Sequence, residues 1–135
     1  MGAMFRAASL FEFRQAMARQ SRPIVVALCA QWCGTCREFG VSFEQLEQQF
    51  PQALFFWLDV EDDAALTGDI DIQDFPSLAL YGAGGEVLYF GTSLPQQAVV
   101  ARLLATRLGH PTPQTQPTQE AKTLRLALIG AHCGA

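Results

Sequence analysis

Trp32-Cys33-Gly34-Thr35-Cys36 is the most informative stretch of this chain, and it directly follows the apolar run Ile24–Ala30. Two cysteines at this spacing can lie one helical turn apart, close enough for a disulfide. At a helix N-terminus, free N–H groups and the helix dipole would favour the Cys33 thiolate, which can attack another disulfide. Cys36 would then resolve the mixed disulfide. A strand leading into this turn favours redox chemistry, with half of a zinc site and a structural pair as the alternatives.

Length and charge narrow the class of protein. The 135 residues leave room for one domain with a substantial core, and 50% of them are hydrophobic. The formal net charge of −4 argues against nucleic acid as a partner. Acidic residues are concentrated between Val41 and Asp74, where Lys and Arg are absent. This segment is expected to form a solvated acidic face, with selection of basic partner proteins as the alternative.

The hydropathy pattern predicts neither membrane insertion nor secretion. No stretch approaches the roughly 20 apolar residues that are needed to span a bilayer. The apolar segment Ala7–Phe11 is too short for a signal peptide, and Glu12 and Arg14 interrupt its continuation. Four cysteines in a domain of this size do not indicate a disulfide-stapled secreted scaffold. We therefore expect a cytoplasmic protein.

The first half of the chain alternates between predicted helices and strands. Apolar spacing predicts a helix over Leu10–Gln20 and another over Arg37–Phe50, which Pro51 ends. The run Ile24–Ala30 is typical of a strand buried on both faces, and Ala53–Val60 is the next strand. This alternation predicts a parallel pair joined by a helical crossover.

The second half predicts a hairpin and a helix. A short helix over Asp62–Thr67 precedes two strands, Leu78–Tyr81 and Glu86–Phe90, joined by the glycine-rich turn 82–85. The apolar spacing of Gln96–Leu108 then predicts a helix. Together the elements predict an α/β fold with a mixed sheet covered by helices.

Composition divides the chain into residues 1–109 as the main domain, 110–119 as a Pro/Thr/Gln-rich linker, and 120–135 as a C-terminal tail. The tail is rich in good helix formers, and Gly130 stands where a helix would stop. Residues 123–128 also alternate like a strand, so that alternative stays open. We predict a short helix that docks through Leu124 and Leu128, because an isolated helix of this length is marginal in water.

Several motifs from Phe5 to Leu108 resemble the thioredoxin family. They are Ala30–Cys36 with the two cysteines, Asp71–Leu78 with Phe75-Pro76-Ser77, Gly84–Val87, and Gly91. The resemblance implies the thioredoxin fold, a mixed central β-sheet flanked by helices, here with a short C-terminal extension. It also implies a protein-disulfide oxidoreductase.

The resemblance assigns roles to particular residues. Cys33 would be the exposed nucleophile and Cys36 the buried resolving thiol, forming a redox-active Cys33–Cys36 disulfide with no other cofactor and no metal. Pro76 would follow a cis peptide bond and lie against that disulfide. Phe75 would offer its backbone to an extended substrate, and Trp32 and Gly91 would flank the groove. The residues expected to bind substrate are Trp32, Gly34, Thr35, Phe75, Pro76 and Gly91.

The implied partners are disulfide-containing protein substrates and a reductase or other dithiol electron donor, with no nucleic acid, no membrane and a monomeric chain. A different function is also open, in which the fold serves as a binding or chaperone-like module with redox-regulated attachment. A zinc site of Cys33, Cys36, His132 and Cys133 is a further alternative, although adjacent ligands suit a tetrahedral site poorly.

The chain departs from the family's pattern where protons are handled. Thioredoxins carry a buried Asp and a nearby Lys at the positions of Ala27 and Trp57, and a Trp at the position of Cys29. Without that Asp, the Cys36 proton must pass to water or to another carboxylate. Asp59 and Glu61 are the nearest candidates by position. Thr35 replaces the usual proline and retains its backbone N–H.

Overall fold

A computed structural model describes residues 4–30, 33–68, 70, 72 and 75–130. Four strands form one sheet in the order β2-β1-β3-β4, and helices cover both of its faces. The strands are β1 Ile24–Cys29, β2 Leu54–Asp59, β3 Ser77–Tyr81 and β4 Val87–Thr92. The helices are α1 Leu10–Arg19, α2 Gly34–Gln49, α3 Ala64–Thr67, α4 Gln97–Gly109 and α5 Gln119–Ile129, and a 3₁₀ turn, Ala7–Ser9, precedes α1.

The sheet is mixed, as the sequence predicts. Strand β1 pairs parallel with β2 and antiparallel with β3, and β3 pairs antiparallel with β4. The register aligns Cys29 with Asp59 on one side and Leu28 with Ser77 on the other. The end of β1 therefore lies beside the start of β3, and we call this edge the cysteine end of the sheet.

All six residues of β1 are buried, which accounts for its uninterrupted apolar sequence. Side chains alternate between the two faces of a strand. Val25, Ala27 and Cys29 accordingly belong to the core that α2 and α4 cover, and the other three residues belong to the core that α1 and α5 cover. The alternation thus directs the Cys29 side chain toward the layer that contains α2.

Most predicted elements begin or end one or two residues away from the prediction, and the start of α2 differs more. Helix α2 begins at Gly34 rather than at Arg37, and Cys33 is its N-cap residue. The apolar spacing used for the prediction begins only at Phe39, so it could not detect the first turn. Helix α3 occupies only Ala64–Thr67, because the residues before it form a turn.

The described part of the C-terminal tail forms helix α5, so the strand alternative for residues 123–128 is wrong. Ala121, Leu124 and Leu128 are buried against the sheet, with 0 to 2% of each residue exposed. Thr118 caps the helix by accepting a hydrogen bond from the Ala121 N–H at 3.2 Å. Gly130 ends it in the left-handed conformation, at φ 78°. The helix is therefore docked on the domain.

Polar contacts also hold α5 in place. The buried Tyr81 hydroxyl donates to the Ala121 carbonyl at 2.6 Å. Arg14 of α1 donates to the carbonyls of Ala127 and Leu128, each at 3.0 Å. A guanidinium at these last carbonyls satisfies acceptors that lack partners within the helix and complements its dipole.

Candidate active site

The two predicted catalytic cysteines lie at the start of α2. Cys33 is half-buried, and its backbone N–H donates to the Ala30 carbonyl at 3.0 Å. The Cys33 carbonyl accepts the first helical bond from the Arg37 N–H at 3.2 Å. Cys36 follows in the first turn and is buried, with 1% exposed. The spacing of the motif thus produces one accessible and one shielded cysteine.

The disulfide in this structure joins Cys29 to Cys36, and Cys33 is a free thiol. The predicted Cys33–Cys36 disulfide is therefore not the one present. Cys29 ends β1 on the face that α2 covers, and its Cα lies 5.8 Å from that of Cys36, which is a normal disulfide separation. Cys29 is 1% exposed, so the bond lies within the core between the sheet and α2.

The Phe75–Pro76 peptide bond is cis, which confirms the predicted isomer. Pro76 is buried and directly precedes Ser77, which pairs with Leu28. The cis bond therefore lies at the cysteine end of the sheet. The expected contact of Pro76 with a Cys33–Cys36 disulfide stays a prediction, since the disulfide in this structure joins Cys29 to Cys36.

The other predicted substrate-binding residues also lie at this end where the structure describes them. Gly34 and Thr35 are exposed in the first turn of α2, and Phe75 is half-buried against the same core as Cys33. Gly91 pairs with Leu78 near the start of β3. Trp32 lies outside the described residues. The substrate-binding roles of all six residues stay predictions.

The positions where the family carries Asp and Lys are here part of the core. Ala27 is fully buried, and its register partner on β2 is Trp57. The Trp57 ring packs against Phe39 and Phe43, with centroids 6.3 and 5.7 Å away. The Arg6 guanidinium lies 5.7 Å from the Trp57 ring centroid, in cation–π range. Apolar packing has thus replaced the polar pair.

A cleft of about 470 Å³ reaches the disulfide, and we call it the Cys29 cleft. Its lining includes Cys29, Cys36, Trp57, Asp59, Arg6 and Arg37. Asp59 aligns with Cys29 in the sheet and accepts hydrogen bonds from the Glu61 and Asp62 N–H groups at 2.9 and 2.8 Å. Of the two predicted proton acceptors, Asp59 is therefore placed at the cleft, whereas Glu61 is an exposed turn residue.

The alternative zinc site requires His132 and Cys133, which lie outside the described residues. Within the described part of the chain, no three His, Cys, Asp or Glu side chains are grouped as a metal site. Cys36, a further ligand of that site, is bonded to Cys29.

Sequence reasoning missed Cys29 as a partner of Cys36. The signal was present in β1, because alternation places Val25, Ala27 and Cys29 on one face. A cysteine at the end of that face, followed by a helix that covers it, lies near the first helical turn.

Comparison with known proteins identifies relatives over most of the chain. The family description Thioredoxin matches residues 6–105. Thioredoxin-1 of Saccharomyces cerevisiae is 36% identical over 87 residues, covering 64% of this chain and 82% of the yeast protein. Thioredoxin-2 of the same yeast is 30% identical over 79 residues, covering 58% and 76%.

Solved structures show the same fold. Oxidised thioredoxin O1 of Arabidopsis thaliana superimposes with a TM-score of 0.60 at 23% identity, covering 78% of this chain and 97% of the plant protein. The germline-specific thioredoxin Deadhead of Drosophila melanogaster gives a TM-score of 0.62 at 19% identity, covering 77% and 97%. With the matched family and the cysteine chemistry of the site, these findings show that the chain belongs to the thioredoxin family of thiol–disulfide oxidoreductases.

Proposed function

We propose that disulfide exchange with protein substrates proceeds through Cys33 as nucleophile and Cys36 as resolving cysteine. The observation that carries this proposal is that Cys33 is free and half-buried at the start of α2, with Cys36 in the same helical turn. In the reduced protein, where a dithiol donor has opened the Cys29–Cys36 bond, the Cys33 thiolate attacks a substrate disulfide and one substrate thiol leaves. Cys36 then attacks the Cys33 sulfur of the mixed disulfide, releasing the second substrate thiol and leaving a Cys33–Cys36 disulfide.

The substrate is proposed to bind as an extended segment at the cysteine end of the sheet. Phe75 would present its backbone beside Pro76, while Gly34 and Thr35 provide the exposed first turn of α2. Trp32 and Gly91 would complete the two sides of this groove. The acidic composition between Val41 and Asp74 would favour substrates with basic surroundings.

The proton of Cys36 is proposed to leave through the Cys29 cleft. Ala27 and Trp57 supply no acid or base at the family's usual positions, whereas the cleft is lined by Cys36 and Asp59. Water in the cleft, oriented by the Asp59 carboxylate, would accept this proton. The proposed scheme requires no cofactor beyond the redox-active disulfide.

Thioredoxins act on disulfide substrates and take electrons from a reductase. For this chain we propose a monomer that receives electrons from a reductase or another dithiol donor in the cytoplasm.

The cysteine usage supports the proposed compartment. Most of the cysteines are grouped at one site, as in a redox protein of a reducing compartment, rather than spread through the chain as in a secreted domain held together by disulfides. Among the described residues, no helix is both long and apolar enough to cross a membrane. Cell fractionation tests the proposed location, and recovery in another compartment would contradict it.

Insulin reduction tests the roles of the two cysteines. We expect Cys33→Ser to abolish turnover and Cys36→Ser to accumulate a mixed disulfide through Cys33. Cys133→Ser is the matched control and should retain turnover, because the proposed exchange does not involve the tail cysteine. Undiminished turnover by Cys33→Ser would overturn the assignment of the nucleophile.

A binding or chaperone-like module is the second candidate. The buried Cys29–Cys36 disulfide favours it in one respect, because a bond shielded in the core can act as a structural crosslink. Such a module would suppress aggregation of an unfolded client equally well with Cys33→Ser. Loss of both insulin turnover and client protection in that variant would argue for the oxidoreductase alone.

A further inference from the structure

We propose that Cys29 is a third catalytic cysteine, which takes over the disulfide formed during substrate reduction and stores it as Cys29–Cys36. This inference rests on the proposed roles of Cys33 and Cys36, and it adds a step after them. The fully oxidised protein would then keep Cys33 as a free thiol, as the structure shows.

Three cysteines meet at one place in the fold. Cys29 is the last residue of β1, Cys33 is the N-cap of α2, and Cys36 lies in the first turn of that helix. Cys29 and Cys36 belong to the same core, and Cys33 packs against it. Cys36 is thus bonded to one cysteine and lies one helical turn from the other. Cys36 can therefore form a disulfide with either Cys29 or Cys33.

The additional step is an internal thiol–disulfide exchange. The Cys29 sulfur, having given up its proton, attacks the Cys36 sulfur of the Cys33–Cys36 disulfide. The Cys29–Cys36 bond forms, the Cys33–Cys36 bond breaks, and Cys33 leaves as a thiolate that takes up a proton. No electrons enter or leave in this step. Over the whole sequence, one substrate disulfide becomes two thiols and two protein thiols become one disulfide.

Burial would protect the stored disulfide from large partners. Cys29 and Cys36 are each 1% exposed, whereas Cys33 is half-buried. Large substrates and reductases therefore reach Cys33 but not the stored disulfide. Re-reduction would run in reverse, with Cys33 attacking Cys36 to restore the accessible Cys33–Cys36 bond and release the Cys29 thiol. The stored bond would thus be protected while Cys33 still controls access to it.

A permanent crosslink is the competing explanation for the same bond. A disulfide that formed during folding and never opened would remove Cys36 from catalysis. The two explanations differ in whether the bond forms again after reduction, and in whether its formation depends on Cys33.

The experiment maps the disulfide after one round of exchange, in a Cys133→Ser background. The protein is fully reduced with dithiothreitol, freed of reductant, mixed with insulin, and quenched in acid at successive times. Free thiols are labelled with N-ethylmaleimide under denaturing conditions. Chymotryptic cleavage after Trp32 then separates Cys29 from Cys33 and Cys36, so mass spectrometry distinguishes the two disulfides.

We expect mixed disulfide and Cys33–Cys36 to appear first, and most of the protein to end as Cys29–Cys36 with labelled Cys33. Cys29→Ser should stop at the Cys33–Cys36 disulfide. N-ethylmaleimide would then no longer label Cys33 in the oxidised variant. An end product in which Cys33–Cys36 dominates and Cys29 is labelled would overturn the relay. The mapping is done on a protein that retains Cys29, Cys33 and Cys36. It therefore remains decisive if Cys29→Ser does not fold.

Cys33→Ser separates failure of the relay from failure of the proposed function. If this variant forms Cys29–Cys36 from insulin as fast as the parent protein, then Cys33 is not the entry point and both proposals fail. If it does not react, while the parent ends as Cys33–Cys36, only the relay fails.

Discussion

Cys29 and Cys36 are seven positions apart in the chain, and their disulfide joins the end of β1 to the first turn of α2. The pairing passes over Cys33, although Cys33 is the nearer neighbour of Cys36 in sequence. The strand and the helix, rather than the C-x-x-C spacing alone, therefore determine which sulfurs meet.

Reduction of the oxidised protein should depend on Cys33. In Cys33→Ser the Cys29–Cys36 bond can still be formed with a chemical oxidant, but its sulfurs are shielded in the core. We expect dithiothreitol to reduce it about tenfold or more slowly than in the parent protein, because access to the attacked sulfur limits exchange. Thiol labelling over time measures both rates. Equal rates would indicate direct attack through the Cys29 cleft.

Restoring an acid at position 27 should change the pH dependence of insulin reduction. With Ala27 the rate is expected to rise with pH through the neutral range, because no buried carboxylate assists Cys36. Ala27→Asp should make this rise shallower. Ala27→Asn is the matched control, since it adds similar volume and polarity without a titrating group. Both variants should lose about 1–3 kcal/mol of unfolding free energy, because position 27 is fully buried. Identical pH profiles for all three proteins would show that proton transfer is not limiting.

The docking of α5 should contribute measurably to global stability. Leu124 is 2% exposed in the core beneath the helix, so Leu124→Ala should cost about 2–5 kcal/mol. Leu126 on the same helix is 41% exposed, and Leu126→Ala should change stability by only about 0.5 kcal/mol. Urea unfolding measures both values. Equal, small effects would show that the helix does not stabilise the domain.

The helix end at Gly130 should not tolerate a side chain. Gly130 has φ 78°, and a Cβ there would lie 3.0 Å from Arg14 Nε. Gly130→Ala should therefore cost about 1–2 kcal/mol, since an L-residue is disfavoured in the left-handed region. Gly109→Ala is the control, because Gly109 has no such φ and a Cβ there meets nothing within 4 Å. Thermal unfolding measures both effects. Equal changes in melting temperature for the two substitutions would contradict this prediction.

Tyr81 should make the protein sensitive to alkaline pH. Burial raises the pKa of Tyr81 above its ordinary value of 10.0, and the charge of Arg125 offsets part of this rise. The neutral phenol therefore stabilises the fold fully below about pH 10, and this contribution is lost as the pH rises further. Urea midpoints should fall above that pH in the parent protein and less steeply in Tyr81→Phe. If the urea midpoints of the two proteins fell equally with pH, the proposed role of Tyr81 in alkaline sensitivity would be wrong.

Much of the fold follows from local patterns in the sequence. The order of strands and helices was predicted from the spacing of apolar residues and from stop signals such as Pro51, whereas the tail helix was favoured over a strand only by its helix formers and Gly130. The cis bond before Pro76 was also predictable, but from the resemblance to a family rather than from composition. The start of α2 was less predictable, because capping by Cys33 leaves no apolar periodicity.

The sequence by itself determined that a C-x-x-C pair directly follows a buried strand, since an uninterrupted apolar run and a fixed spacing are both local features. Only the tertiary structure decided that Cys29 reaches Cys36, that Asp59 lies at the cleft beside them, and that Arg14 and Tyr81 hold α5. Each of these relationships joins residues from different elements. Strand alternation indicates which face Cys29 occupies, but the distances depend on strand register and on how the helices pack across the sheet, and no local pattern specifies these.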